Sequence, residues 1–268
     1  MFCEKFTNSF YLTKNVVFIF LFDYNNIMKT ILITGSSGGI GNEIAKKFAN
    51  NNNNIILICN KNLPIAAKLK QSFGNCNMEI YKCDLTQTDQ IYTMVNKIID
   101  SYKKIDCLIN CAGISKFQLI QDTTEEDYFE VFDTNLKSII MLTAAVSKHM
   151  ISEKYGKIVN ISSMWGNVGS SMESLYSASK GAINTLTLSL AKELGPSNIN
   201  VNAICPGLIK TRMNSSLSKE TINSIVENTP LGRIGTASDV AELAAFLCDD
   251  KSSFITGQII TVDGGFTL

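Results

Sequence analysis

Residues 30–41 read Thr-Ile-Leu-Ile-Thr-Gly-Ser-Ser-Gly-Gly-Ile-Gly, and this stretch decides the fold. Its first five residues are apolar or β-branched, as in a short buried strand, and the glycines that follow are typical of a tight turn. A glycine turn between a strand and a helix allows close backbone approach and points the helix N-terminus at phosphate groups. Residues 30–41 therefore predict the start of a dinucleotide-binding βαβ unit.

The rest of the chain repeats this alternation of apolar runs and helical patterns. Further strands are predicted at 54–59, 78–83, 105–109, 157–161 and 199–204, with a last strand ending at residue 262. There is no internal repeat and no linker in the sequence. We therefore predict an α/β fold, a single-domain Rossmann-type doubly wound parallel sheet with helices on both faces, over residues 28–268.

Helix boundaries follow from local signals. Pro64 is placed to open the second helix, and Thr86 to Asp89 resembles a capping box before the third. Gly195-Pro196 predicts the end of the helix that carries Tyr176, and Thr236 is expected to cap the last helix. Residues 207–235 have no strong periodicity and are predicted to form a mobile segment.

The first 27 residues do not fit this pattern. Residues 16–22 are apolar, but the run is too short to span a bilayer. Residues 23–26 lack the small side chains of a signal-peptide cleavage site. We predict that Met28 is the natural start and that residues 1–27 are a non-native or disordered extension.

Composition excludes several classes of partner and site. The 24 Lys and Arg residues balance the 24 Asp and Glu residues, so no basic footprint for nucleic acid is present, and no membrane partner is expected. The eight cysteines are scattered without metal-ligand spacing, and the single histidine, His149, has no cysteine nearby. Buried thiols in a reducing cytoplasm, with no metal site, are the expected arrangement.

Tyr176 and Lys180 are the first candidates for chemistry. They are four residues apart, so a helix would place both side chains on one face. A phenol titrates near pH 10, and a neighbouring ammonium is expected to lower that pKa. Ser163, at the end of another strand, could bond the same substrate oxygen. Alone, such a pair is usually a contact on a helix surface.

Tyr176 and Lys180 belong to a series of six motifs, which is stronger evidence for a catalytic role than the pair alone. They are Thr34-Gly35-x-x-x-Gly39-Ile40-Gly41, Asn110-x-Ala112-Gly113, Asn135, Ser163, Tyr176-x-x-x-Lys180 and Pro206-Gly207. In this order and spacing they resemble the short-chain dehydrogenase/reductase family across residues 28–268. The resemblance implies an oxidoreductase that interconverts a ketone and an alcohol with a nicotinamide coenzyme.

The resemblance also implies a role for each matched residue. Ser163 would hold and polarise the carbonyl oxygen while Tyr176 protonates it. Lys180 would bond the nicotinamide ribose and lower the pKa of Tyr176. Asn135 would kink its helix and hold a water that relays protons; a helix-breaking role for this residue is compatible with that.

The implied coenzyme contacts extend from the glycine turn to the strand ends. They are Gly35, Ser36, Ser37, Gly38, Gly39, Ile40, Gly41, Asn60, Lys61, Asp84, Leu85, Asn110, Ala112, Gly113, Tyr176, Lys180, Pro206, Gly207, Ile209 and Thr211. Asp84 has an equal alternative as a turn residue. Residues 59–62 contain no carboxylate to repel a 2′-phosphate, which favours NADP(H) over NAD(H), although Gly38 stands where a basic residue often marks NADP enzymes.

The substrate is less well defined. Residues 176–182, 191–196, 231–235 and 256–265 resemble bacterial 3-oxoacyl-[acyl-carrier-protein] reductases, a homotetrameric branch that also includes hydroxysteroid, sugar and small-ketone reductases. An acidic carrier protein would then be the partner, and Lys154 would supply a basic contact beside the mouth of the site.

A second resemblance points to a different ketone. Residues 161–169, which include Trp165, together with Glu173 resemble the branch that reduces the 5-aminopentanone modification of elongation factor P. Glu173 could pair with the substrate amine, or could simply be a carboxylate at a helix start. Trp165 could line the substrate pocket or lie in the core or an interface. A non-catalytic dinucleotide-binding regulator is the alternative of another class, disfavoured because Tyr176 and Lys180 are both present.

Overall fold

A computed structural model of the chain describes residues 28–49, 52–74, 76–215 and 217–268, together with a short antiparallel pairing of Leu12–Thr13 with Val16–Val17. Apart from this pairing, the predicted extension at residues 1–27 lies outside the described residues. The boundary at Met28 therefore stays a prediction.

Seven parallel strands form one sheet in the order β3-β2-β1-β4-β5-β6-β7. The strands are β1 Thr30–Thr34, β2 Asn54–Cys59, β3 Met78–Lys82, β4 Cys107–Asn110, β5 Gly156–Ile161, β6 Ile199–Pro206 and β7 Ile259–Val262. The order reverses beside β1, and ligands of such sheets bind at the carboxyl ends of the strands near that point. The predicted doubly wound fold is confirmed.

Helices cover both faces of this sheet. They are α1 Gly39–Ala49, α2 Leu63–Ser72, α3 Thr88–Tyr102, α4 Glu125–Phe132, α5 Ser138–Glu153, α6 Trp165–Val168, α7 Ser174–Leu194, α8 Lys219–Glu227 and α9 Ala237–Leu247. Ile31 and Ile33 of β1 share a buried core with α1, α2 and α9, whereas Leu32 shares the other core with α3, α5 and α7. Successive strand side chains point to opposite faces, so one strand serves both cores.

Most predicted helix boundaries are confirmed. Pro64 lies in the first turn of α2, α7 ends at Leu194, and Thr236 forms a capping box with Asp239. The predicted capping box before α3 is wrong, because the residue preceding that helix is Gln87 and its side chain makes no cap bond.

Mobility of residues 207–235 stays a prediction, but this segment contains regular structure that the sequence analysis did not place. It contains α8 and a short 3₁₀ turn at Arg212–Asn214, and Ile209 pairs with Gly235. Helix α8 buries none of its residues completely, and its short apolar stripe, Ile222, Ile225 and Val226, is only half-buried.

Membrane-spanning helices and clusters of metal-ligating side chains are both absent from the described residues. Within the described ranges, no helix is both long and apolar enough to cross a bilayer. Three or more side chains able to ligate a metal do not come together anywhere in that part of the chain.

Candidate active site

A cleft of about 1320 Å³ lies at the carboxyl ends of the strands. One end is lined by Asn60 and Lys61 beyond β2, and the other by Ser163 and Tyr176 beyond β5. The glycine turn after β1 lines the middle. A volume of this size exceeds what one drug-sized ligand needs, so it suits an extended coenzyme with a substrate beside it.

The glycines of the turn are required by close backbone contacts. Gly35 has φ +63°, and a Cβ there would lie 2.8 Å from the backbone of Ala112. A Cβ on Gly41 would lie 2.5 Å from the Gly35 carbonyl oxygen, and one on Gly39 would lie 2.8 Å from Thr211 Cγ2. Helix α1 begins at Gly39 beside the cleft, so its N-terminal amide groups fit a pyrophosphate.

Ser36 and Asn110 do not line the cleft. Ser36 is fully buried, and its backbone nitrogen and hydroxyl both donate to the carbonyl oxygen of Ile58, at 3.4 and 3.2 Å. Asn110 is buried as well, and its amide donates to Asn160 Oδ1 at 2.9 Å. Neither side chain lines the cleft, so contact of these two residues with a coenzyme stays a prediction; their hydrogen bonds support the floor of the cleft.

The end of the cleft beyond β2 carries mixed charge. The Asp84 carboxylate accepts bonds from the backbone nitrogen and hydroxyl of Thr86, at 3.0 and 2.8 Å. These bonds, with the Asn60 amide and the charge of Lys61, lower the pKa of Asp84 despite its partial burial. Asp84 thus acts as a turn residue and also lines the cleft. Lys61 is exposed there and available to a bound anion.

Asn135 lies in a π-helical turn, Asp133–Lys137, between α4 and α5. Its side chain accepts from the Ile114 nitrogen at 2.8 Å and donates to the Ile114 carbonyl at 2.9 Å and to Ser179 Oγ at 3.0 Å. The predicted interruption of the helix is confirmed. Asn135 is fully buried and does not line the cleft; a Cβ on Gly113 would lie 3.3 Å from its Oδ1 and 3.4 Å from Lys180 Nζ.

Lys180 is buried at the base of the cleft. Its ammonium donates to the carbonyl oxygen of Ile161 at 2.9 Å and lies 5.6 Å from the ring centroid of Tyr176. Burial lowers the pKa of Lys180 to about 8. The two side chains share one face of α7, as predicted from their spacing.

The pKa of Tyr176 does not behave as predicted. Burial raises this pKa to about 12, a hydrogen bond with Ser163 opposes the rise, and the negative charge of Glu173 adds to it. The expectation of a lowered pKa is therefore wrong for this structure, because desolvation dominates and the Lys180 ammonium bonds a backbone carbonyl. The phenol is protonated at neutral pH with or without this shift, and the raised pKa makes it a weaker acid than a free tyrosine.

Ser163 is held close to Tyr176 by the segment that follows β5. Its Oγ accepts from the Trp165 nitrogen at 3.2 Å. The preceding Ser162 donates its hydroxyl to the Lys180 carbonyl oxygen at 3.1 Å, which ties this segment to α7. Ser163, Tyr176 and Lys180 are thereby brought together from two elements.

Glu173 projects into the cleft rather than capping a helix. It directly precedes α7 but makes no side-chain cap bond, and its carboxylate accepts a hydrogen bond from Ser115 Oγ. Met172 before it has φ +63°, and the Met172 carbonyl accepts from the Gln118 nitrogen at 2.7 Å. A non-glycine residue with positive φ is uncommon and is maintained by its surroundings, so this carboxylate is held in place.

Trp165 lines the cleft, and its ring packs edge-on against Phe266 with centroids 5.9 Å apart. The sequence analysis did not identify most of the other residues that line the end of the cleft beyond β5. These apolar residues are Phe117, Phe129, Met213, Leu217 and Ile225. They come from α4, from α8 and from the segments that precede these helices, so no local pattern in the sequence marks them as one surface.

Lys154 is placed differently from the prediction. It lies two residues before β5, whereas the cleft lies beyond the other end of that strand. A six-residue strand spans roughly 20 Å, so Lys154 is at the opposite edge of the sheet and does not flank the cleft of its own chain.

Comparisons with known proteins agree with this geometry. A family model described as enoyl-(acyl carrier protein) reductase matches residues 35–267. An uncharacterised oxidoreductase of Bacillus subtilis, YmfI, is 40% identical over 242 residues, covering 89% of this chain and 98% of that protein. The 3-oxoacyl-[acyl-carrier-protein] reductase FabG of Thermotoga maritima is 37% identical over 242 residues, covering 90% and 98%.

A solved structure is similar as well. The crystal structure of a candidate gluconate dehydrogenase from Agrobacterium tumefaciens matches with a TM-score of 0.86 and 32% identity. The match covers 89% of this chain and 95% of that one.

Proposed function

The chain belongs to the short-chain dehydrogenase/reductase family, and we propose that it is an NADP(H)-dependent carbonyl reductase that acts on 3-oxoacyl groups carried by acyl carrier protein. The observation that supports the reaction is the convergence of Ser163, Tyr176 and Lys180 at one end of a cleft whose other end is lined by Lys61. A non-catalytic regulator would not need this arrangement.

In the proposed mechanism, the nicotinamide coenzyme supplies a hydride when bound. Ser163 donates a hydrogen bond to the carbonyl oxygen of the substrate. Tyr176 donates its phenol proton to that oxygen. Lys180 would bond the nicotinamide ribose, and its positive charge, 5.6 Å from the centre of the Tyr176 ring, would favour the phenolate that forms, against the opposing effect of burial. Asn135 holds the adjoining backbone at Ile114 in place.

The preference for NADP(H) is supported by Lys61. Its exposed ammonium lines the cleft beyond β2, where the 2′-phosphate of the coenzyme would lie. Substituting Lys61→Glu should raise the KM for NADPH about tenfold or more and change that for NADH little, because only NADPH carries the extra charge. The exposed Lys68→Glu on α2 is the matched control. A wild-type protein with higher kcat/KM for NADH would contradict the preference.

An acidic carrier, a homotetramer and a cytoplasmic location complete the proposal. Arg212 is an exposed cation in the lining of the cleft and would meet the carrier. Phe254 and Leu268 are fully exposed apolar side chains, which supports association between copies. The seven cysteines within the described residues carry free thiols, as is usual in a reducing compartment.

The direct test is NADPH oxidation in the presence of an acetoacetyl thioester. Turnover with the thioester on acyl carrier protein should exceed turnover with the same thioester on a small thiol. Failure of both substrates, with NADPH binding intact, would contradict the proposed substrate class.

A second candidate is reduction of the 5-aminopentanone group on elongation factor P. The specific observation that favours it is the Glu173 carboxylate, held in the cleft by Ser115 and close enough to raise the pKa of Tyr176. An ammonium group on the substrate would pair with this carboxylate. Glu173→Gln should then lower kcat/KM about tenfold for an amino-ketone and leave a plain 3-oxoacyl thioester unaffected. Equal effects on both substrates would reject this candidate.

A further inference from the structure

A pair of asparagines links the two elements that carry the candidate catalytic groups. Asn184 Nδ2 donates to Asn167 Oδ1 at 2.8 Å. Asn184 lies on α7 one turn after Lys180, and Asn167 lies on α6, the short helix that follows Ser163. This bond therefore joins the Ser163 segment to the helix of Tyr176 and Lys180.

Glycine contacts bring the same two helices together. A Cβ on Gly166 would lie 2.8 Å from the carbonyl carbon of Lys180, and one on Gly181 would lie 3.3 Å from the Gly166 carbonyl oxygen. At this separation small lateral shifts of α6 are possible, because glycine offers no side chain to interlock. The asparagine pair adds a directional contact on α6 itself to the bond from Ser162 to the Lys180 carbonyl oxygen, which lies before this helix.

The surroundings of the pair point to a positioning role. Asn184 is 9% exposed, and the buried Cys205 thiol directs its Sγ at Asn184 Oδ1 from 3.6 Å. In contrast, Asn167 is exposed, so water can bond its side-chain oxygen if Asn184 is replaced. Replacing Asn184 should therefore cost little folding stability and act mainly on the position of α6, whereas replacing Asn167 also leaves the buried Asn184 amide without this acceptor.

We propose that Asn184 is a positioning residue which, through its bond to Asn167, fixes the distance between Ser163 and Tyr176. The proposal rests on the carbonyl-reductase function for its kinetic consequence. Displacing Ser163 relative to Tyr176 misaligns the two donors to the carbonyl oxygen, while the glycine turn that faces the coenzyme is unaffected. A misplacement of this kind is worth roughly tenfold to a hundredfold in rate.

The chain contains its own reporter for this test. Trp165 is the only tryptophan and lies in α6. Its fluorescence anisotropy therefore reports the fixation of that helix whether or not the protein reduces any ketone. If the wild-type protein fails to turn over carbonyl substrates, the proposed function fails, but the anisotropy still decides whether the asparagine pair holds α6.

The experiment compares Asn184→Leu and Asn167→Leu with two controls. Asn167→Asp keeps the accepting oxygen, and Thr261→Val removes the Thr261 hydroxyl, which accepts from the Asn167 amide at 3.3 Å. We expect both leucine variants to lower kcat per folded molecule about tenfold and to lower Trp165 anisotropy, with the KM for NADPH within about twofold. The melting temperature should change little for Asn184→Leu and fall for Asn167→Leu, which leaves the buried Asn184 amide without its acceptor. Both controls should resemble the wild type.

Unchanged kcat and anisotropy in the leucine variants would overturn the proposal. So would a lower melting temperature with normal kcat per folded molecule, which is what a purely structural role gives. An effect of Thr261→Val equal to that of Asn167→Leu would also overturn it, since α6 would then be fixed from β7. If Asn184→Leu fails to fold, the exposed Asn167→Leu decides alone.

Discussion

The two ends of the cleft are built in different ways. The coenzyme end consists largely of backbone at the ends of buried strands, with glycines at positions where an added Cβ would lie 2.5 to 2.8 Å from neighbouring atoms. The substrate end consists of side chains from three separate segments, and Phe117 and Phe129 there are 64% and 51% exposed. The first, which we call the coenzyme cradle, leaves little room for another kind of ligand. The second, which we call the substrate wall, can be altered by side-chain substitution without changing the backbone of the coenzyme cradle.

Tyr176 lines the end of the cleft beyond β5, and its replacement should have the largest effect on the reaction rate. Tyr176→Phe removes the proton donor but keeps the ring, so we expect kcat for ketone reduction to fall about a thousandfold. Coenzyme binding at the cradle should stay within about twofold, because the variant alters only one hydroxyl. Titration of NADPH fluorescence checks the binding, and a large loss of affinity would show that the two ends are not separable in this way.

The buried charge of Lys180 at the base of the cleft should lower the stability of the folded protein. Burial lowers its pKa to about 8 from the usual 10.5, so below pH 8 the folded state holds a charge that prefers water. Without coenzyme, Lys180→Met should raise stability at pH 7 by ~3 kcal/mol. Between pH 8 and 10.5 the folded lysine loses its proton before the unfolded one, so wild-type stability rises relative to the variant and the difference shrinks.

Thermal melts of both proteins from pH 7 to 10 measure this difference. Lys137→Met is the control, since that lysine is exposed and paired with Asp133 at 3.2 Å. A variant of Lys180 that melts below the wild type at pH 7 would contradict the assignment of a buried, destabilising charge.

The coenzyme cradle should respond sharply to a single methyl group. Alanine normally favours a helix over glycine, but a Cβ at Gly41 would meet the Gly35 carbonyl oxygen at 2.5 Å. Gly41→Ala should therefore destabilise the protein by about 1–3 kcal/mol and weaken NADPH binding at least tenfold. At Gly195, where a Cβ would meet nothing within 4 Å, the same change should alter neither stability nor NADPH binding. Normal NADPH affinity in Gly41→Ala would show that the turn is adaptable.

The substrate wall should respond weakly and selectively. Phe117→Ser removes part of an exposed apolar surface, so the KM for a 3-oxoacyl substrate should rise about twofold to fivefold. NADPH affinity should not change. Leu231→Ser, an equally exposed residue outside the cleft lining, is the control. A shift in NADPH affinity upon changing Phe117 would contradict the division of the cleft into two ends.

Local patterns were sufficient for the parts of the site that lie on regular elements. The glycine turn follows β1 immediately, and Tyr176 and Lys180 share a helix face. The interruption at Asn135 was also expected from the family resemblance and is present. In each case the relevant contact joins residues close in sequence or at strand ends whose order the fold class fixes.

Features that depend on long-range contacts and on burial could not be predicted from local sequence patterns. Helix α8 was missed because its apolar stripe consists of only three residues, Ile222, Ile225 and Val226, and Lys154 was placed beside the wrong edge of the sheet. Spacing alone suggested that Lys180 lowers the pKa of Tyr176, but a pKa depends on desolvation by every surrounding element. The bond from Ser115 to Glu173 joins residues 58 positions apart, which no periodicity reveals.

The sequence by itself determined the doubly wound sheet, the glycine cradle and the helix face shared by Tyr176 and Lys180. Strand and helix periodicity and the backbone demands of glycine act over a few residues, so they can be read from the chain. Only the tertiary structure decided that burial raises the pKa of Tyr176, that Glu173 faces the cleft and that Asn184 bonds Asn167 of α6. These properties arise from burial and from contacts between distant segments, which exist only after the chain has folded.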